Sequence, residues 1–405
     1  MSVAAFLLTL IAIFAAAKIF GELAERIGQP AVLGELIAGI VVGVSGLHLV
    51  DSHDPTIHLL SELGVILLLF MIGLETDLKK LLAVGGSAAA VAIVGVVLPF
   101  ALGYAAGILL GHPPILSIFL GAALTATSVG ITARVLSDLG HLKDPESQVV
   151  LGAAVIDDVV GLVILAVVGG LAAGTPISVW GVTRVTAVAF GFVIAAIVLG
   201  NFLAPWLIRM ISKLHVAKAV LFASLMFAFV LAWIAQQIGS AMIVGAFAAG
   251  LVLARTERGP QIEKEVHDIA QFFIPIFFVS VGAAIDLRTL NPFNAETRPF
   301  VIFGLVLTVI AILGKLAAGW AARGKGLKHH VIGIGMIPRG EVGLIFARMG
   351  LAAGILTAGL YSSVVAMVIV TTFITPPLLR IFLEKRTPEA MSPATRMVTD
   401  APGDD

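Results

Sequence analysis

Apolar residues follow one another along this chain in long runs, without the strict alternation of a half-buried strand or the single wet face of a surface helix. The runs fall near 3–20, 30–48, 58–75, 84–110, 115–136, 149–172, 177–211, 218–236, 240–254, 269–286, 299–322, 329–350 and 357–383. A helix needs about 20 such residues to cross the hydrocarbon of a bilayer. Helices are also among the few forms whose backbone groups are all satisfied within lipid. The pattern therefore predicts an all-α polytopic membrane protein of about 13 transmembrane helices.

Composition strengthens this reading. Hydrophobic residues make up 59% of the 405 and charged residues only 12%, against about 25% charged in a soluble domain; mean hydropathy is +1.08. The net charge is zero and there is no cysteine, so nothing points to nucleic acid and neither disulfides nor thiolate ligands are available. The first run lacks a basic flank and a small-residue cleavage site, which predicts a retained helix. With the N-terminus outside and the C-terminus in the cytoplasm, 18 of the 25 Lys and Arg fall on the cytoplasmic side and 3 on the other, a clear positive-inside bias. The polar stretch 385–405 is predicted to be a disordered cytoplasmic tail.

Against that apolar background the charges inside the runs stand out. In "GAAVIDDVVGL", Asp157 and Asp158 are adjacent, so on a helix they point about 100° apart, toward different neighbours. An ionisable group at this depth is unfavourable by roughly 3 kcal/mol even on a lenient scale. Two carboxylates this close titrate as a unit and can hold a proton or a metal cation, but not easily both, which is the chemistry of exchange. Lys315, in "AILGKLAAGW", is a candidate ion-pair partner for one of them; the alternative is that its stem carries the ammonium to the interface.

In "GMIPRGEVGLI", Pro338 and Gly340 break a helix and place Arg339 and Glu341 at the break, suited to neutralise helix ends or to pair with each other. In "LTATSVGITARVL", Thr125, Thr127, Ser128 and Thr132 with Gly130 suggest a second unwound stretch, offering the oxygen ligands that hard cations prefer. Glu35, inside the second run, is harder to assign to a solvated end than Glu75, which closes the third.

Taken together, "TATSVGITARVL", "LGAAVIDDVVGL", "AILGK" and "MIPRGEVGLI", with "GELIAGIVVG" and "LLLFMIGLE" nearer the start, resemble the cation:proton antiporters. The resemblance is strongest to the branch that holds Nap-type sodium/proton exchangers and Kef-type potassium efflux systems, and it covers residues 1 to about 384. It implies two inverted repeats crossing at two broken helices. Residues 83–173 and 299–384 would form an ion-carrying core, 1–82 and 215–298 a dimerising scaffold, and 177–211 a linker helix.

By the same resemblance, Asp158 binds the proton or cation and Asp157 partners Lys315. Thr127 and Ser128 line the site, so that Na+ would meet Asp158, Asp157 and Thr127. It further implies electrogenic exchange of Na+ or Li+ for H+ by an elevator motion, in a homodimer in the bacterial cytoplasmic membrane. No cofactor is expected beyond the transported ions. Kef-type members usually carry Gln where this chain has Asp157. A potassium/proton exchanger remains the alternative within the class, and a passive cation channel the alternative outside it. An intramembrane aspartyl protease would need its two aspartates on separate helices, one of them in a G-x-G-D motif that this sequence lacks.

Overall fold

The computed structural model describes residues 2–383 apart from 52–53, 173–178, 212–217, 292, 295–296 and 325. The expected tail at 385–405 lies outside the described residues, as do the first two residues of the expected linker 177–211.

In chain order the helices are α1 (Val3–Arg26), α2 (Ala31–Val42), α3 (Pro55–Glu75), α4 (Leu78–Ala83), α5 (Gly85–Leu109), α6 (Pro114–Ala123), α7 (Val129–Asp138) and α8 (Pro145–Ala172). They continue with α9 (Val179–Ile211), α10 (Ala219–Gln237), α11 (Met242–Leu253), α12 (Gly259–Ala283), α13 (Arg298–Gly319), α14 (His329–Gly335), α15 (Glu341–Ala352) and α16 (Ala358–Phe382). Nine helices among the described residues are long and apolar enough to cross a membrane, and their length and composition fit a multi-pass membrane protein.

The helix limits follow local chemistry. Asp54 accepts from the amides of Thr56 and Ile57 and Pro55 occupies the first turn, so α3 starts sharply. Thr357 caps α16 in the same manner, through the Leu360 amide. The run 30–48 was expected to be helical throughout, yet α2 stops at Val42. Beyond it the chain folds back, with the Val44 amide donating to Ala283 and the Leu47 amide to Val41; Gly43 and Gly46 leave no room for side chains at those approaches.

Packing divides the helices into two sets. α1, α2, α3 and α9 to α12 contact mainly one another, as do α5, α6, α8 and α13 to α16; α7 lies between, touching α2 and α3 on one side and α8 and α16 on the other. Within the first set two close crossings mirror each other. A Cβ on Gly39 of α2 would lie 2.7 Å from the Gly282 Cα of α12, and one on Gly250 of α11 would lie 2.7 Å from the Gly73 Cα of α3. Glycine at these points lets helix backbones touch, the means by which membrane helices associate when lipid removes the hydrophobic drive between them.

Candidate functional site

Two stretches of non-helical chain, 124–128 between α6 and α7 and 336–340 between α14 and α15, meet in the interior. Pro338 and Gly340 account for the second interruption: proline lacks an amide donor and glycine weakens a helix. At the first, Thr125 turns its hydroxyl back to the Ala122 carbonyl, 2.8 Å, and closes α6. The stretches touch directly. The Ser128 amide donates to the Pro338 carbonyl at 2.8 Å, and a Cβ on Gly340 would lie 2.8 Å from both Cβ and Oγ of Ser128.

Polar groups freed by one interruption are met from the other. Arg339, fully buried, donates through Nη1 to the Thr125 and Ala126 carbonyls at 3.2 and 3.0 Å and through Nη2 to Ala311 at 3.4 Å. It thereby sets a guanidinium at the C-terminal, partially negative end of α6. In return, Thr132 donates to the Gly335 carbonyl at 2.7 Å and Thr127 to the Met336 carbonyl at 3.3 Å. Thr372 of α16 donates to the Arg339 carbonyl at 2.8 Å, and Thr371 accepts the Arg339 amide at 3.3 Å. Thr371 and Thr372 were not among the residues singled out from the sequence; a pair of hydroxyls inside the last apolar run was the available signal. Glu341 opens α15, but its side chain lies outside the described residues.

The carboxylate pair sits on α8 beside this crossing. Asp157 is fully buried. Its Oδ2 accepts from Lys315 Nζ at 2.8 Å and from the Thr127 hydroxyl at 2.7 Å, while Oδ1 has no hydrogen-bond partner. Lys315 is itself fully buried, so its ammonium stays in the interior and does not reach the interface. Gly95 of α5 makes room for it: a Cβ there would lie 3.2 Å from Nζ. Arg339 is a second positive charge acting on Asp157. With both aspartates ionised, the four buried charges of Asp157, Asp158, Lys315 and Arg339 sum to zero.

Asp158, one residue on, turns another way. It lines a cavity of about 330 Å³, together with Thr127, Ser128, Arg339 and Gly340. The same cavity reaches His58, Ser61 and Glu62 in the first turns of α3, Ala284 just beyond α12, and Arg348 of α15. It thus runs from one face of the molecule inward to a carboxylate, between the two sets of helices. The 100° step along α8 separates the pair: one carboxylate is sealed against a lysine and the other faces space that water or an ion can enter. Among the described residues no group of three or more His, Cys, Asp or Glu is arranged to hold a metal ion, so a cation here would rely on one carboxylate with hydroxyl, carbonyl and water oxygens.

Comparison with known proteins adds the following. A family model described as the transmembrane sodium/hydrogen exchanger matches residues 9–385. A high-affinity Na+/H+ antiporter of Synechocystis sp. is 42% identical, covering 93% of this chain and 90% of its own length. A Na+/H+-K+ antiporter of Bacillus cereus is 40% identical, with 90% and 92% covered. A K+/H+ antiporter subunit of Bacillus subtilis is 32% identical, with 78% and 76% covered. Among solved structures, the sodium proton antiporter of Methanocaldococcus jannaschii superposes with a TM-score of 0.65 at 18% identity over 93% of this chain and 95% of that one, which is a likeness of fold.

Proposed function

The chain belongs to the sodium/hydrogen exchanger family, a family of transporters, and from that premise we propose that it exchanges Na+ or Li+ for H+ across the cell membrane through Asp158. The observation that carries this reading is the division of labour on α8: Asp157 is sealed by Lys315 and Thr127, whereas Asp158 lines a cavity open to one face. A carboxylate in that position binds a proton or a cation, and losing one makes room for the other. Thr127, Ser128 and freed carbonyls supply further oxygens for the ion.

The finer mechanism is part of the proposal. The pairs α6/α7 and α14/α15 each act as one broken span, giving thirteen spans in two inverted repeats. The mirrored glycine crossings Gly39–Gly282 and Gly73–Gly250 support that symmetry. Residues 83–173 and 299–384 form a core that slides as an elevator against a scaffold of 1–82 and 215–298, with 177–211 as linker; the two packing sets support this division. The scaffold dimerises, the N-terminus lies outside, and the cavity of Asp158 is then the outward one. Because Lys315 can release a proton when Asp157 is freed, exchange is electrogenic.

The relatives named for K+ exchange favour a second reading of the cargo, K+ in place of Na+. One assay addresses both: proteoliposomes holding the full chain, driven by Na+, Li+ or K+ across a pH series. Na+ and Li+ should move protons and Asp158→Asn should abolish that movement while leaving the fold intact. Apparent cation affinity should weaken as pH falls and level off on the alkaline side. Wild-type exchange by a folded Asp158→Asn variant, or an affinity constant from about pH 5 to 9, would sink the assignment.

A further inference from the structure

On the face opposite the mouth of the Asp158 cavity lies a second, smaller polar pocket of about 290 Å³. α1 contributes Ala17, Lys18, Gly21, Glu22 and Glu25, α2 contributes Ala31 and Glu35, α12 contributes Gln271, Ile274 and Pro275, and α7 contributes Arg134. All but Arg134 belong to the first packing set, and α7 is the helix that lies between the two sets. The pocket is therefore bounded by the first set and by α7, the helix that also lines the Asp158 cavity.

Glu35 stands out within it. It is 5% exposed, and its Oε2 is buried without a hydrogen-bond partner. The neighbouring charges are largely spoken for. Arg134 pairs with Asp138 on its own helix at 3.0 Å, and Glu22 pairs with Arg26 at 2.9 Å. The remaining groups are Lys18, Glu25 and Glu35, and from α12 the facing polar side chain is the neutral Gln271. With Glu35 ionised these sum to one negative charge, set in a pocket whose lining is mainly polar. A net negative charge in a narrow cleft raises the local concentration of cations. No three carboxylates or imidazoles converge there to hold a metal, so the arrangement suits passage rather than retention.

We propose that this pocket is the closed beginning of the ion path from the opposite face, and that Glu35 is the residue that draws the cation into it. When the core set slides against the scaffold set, α7 moves along α2, the pocket joins the crossing at 124–128, and Asp158 is reached past Glu35. Glu35 is a positioning residue: it speeds capture on one face and takes no part in the exchange at Asp158. The inference rests on the alternating-access reading above, and its test separates the two.

The full chain has no cysteine, so a single thiol can report sidedness. With Ser61→Cys as background, a membrane-impermeant thiol reagent applied to one face of proteoliposomes silences the copies whose Asp158 cavity opens there, leaving one orientation active. In that preparation Glu35→Gln should raise the KM for Na+ on the pocket face by about tenfold, the low end of what electrostatic focusing provides. It should leave the KM on the Asp158-cavity face and the maximal rate unchanged, and Glu35→Asp should restore much of the affinity. Ala31→Cys, at the pocket wall, should be labelled by the same reagent from the pocket face alone.

An equal rise in KM on both faces, no rise on the pocket face, or a labelling-resistant Ala31→Cys would overturn the role of Glu35. If Glu35→Gln unfolds in detergent, the Ala31→Cys labelling and the Glu35→Asp kinetics decide the matter. Failure of the exchange reading looks different: wild-type protein that moves no protons with any cation, or a folded Asp158→Asn variant that still does.

Discussion

At residues 124–128 the chain carries hydroxyls and no charge, yet the carbonyls it frees, those of Thr125 and Ala126, are held by a guanidinium. At 336–340 it carries a guanidinium, yet the carbonyls of Gly335, Met336, Pro338 and Arg339 are held by neutral donors: Thr132, Thr127, the Ser128 amide and Thr372. Arg339 serves the first interruption, and Thr127, Ser128 and Thr132 serve the second. Taken alone, each would leave polar backbone buried without partners, which lipid penalises by several kcal/mol per group. The stable unit is therefore the crossing of the two. That crossing also places Thr127 where one hydroxyl touches both the Met336 carbonyl and Asp157, tying the carboxylate pair to the join.

The sharpest way to break this reciprocity is Arg339→Met. It removes three hydrogen bonds from a charged donor and leaves the end of α6 uncompensated, so unfolding stability should fall by about 4 kcal/mol and exchange should be lost. Thermal unfolding in detergent reads the first effect and proteoliposome exchange the second. A loss under about 1 kcal/mol would mean that the freed carbonyls find other donors and that the interruptions do not depend on each other.

Lys315→Ala should come next, at about 3 kcal/mol, because Asp157 would keep its charge in the interior with only Thr127 and Arg339 near it. Lys315→Gln should be milder, since its amide can still donate to Oδ2. A double-mutant cycle with Asp157→Ala measures the pairing, and a coupling energy below about 0.5 kcal/mol would contradict it.

Two threonines then separate the site from the join. Thr127→Val loses a hydrogen bond to a charged carboxylate and should cost about 2 kcal/mol together with a weaker apparent cation affinity. Thr132→Val loses one neutral bond, to the Gly335 carbonyl, and should cost about 1 kcal/mol with cation affinity unchanged. If the two variants shift affinity alike, Thr127 acts only by mending the crossing, as Thr132 does.

Much of this molecule was legible in its residues. Long apolar runs dictate membrane helices because a lipid interior tolerates little else, and Asp157, Asp158, Lys315 and Arg339 were conspicuous because charges are costly at that depth. Pro338 and Gly340 pointed by their own stereochemistry to the non-helical stretch at 336–340. What no linear reading could decide was which group faces which. Nothing local says that Lys315 reaches Asp157, 158 positions away in the chain, or that Arg339 turns to the end of α6. Glycine spacings could hint at close approaches but could not say that Gly39 meets Gly282, or that Glu35 borders a pocket with Arg134. Periodicity and burial preference act on each residue through its solvent and are written along the chain, whereas partner choice depends on distances set only once the helices have packed.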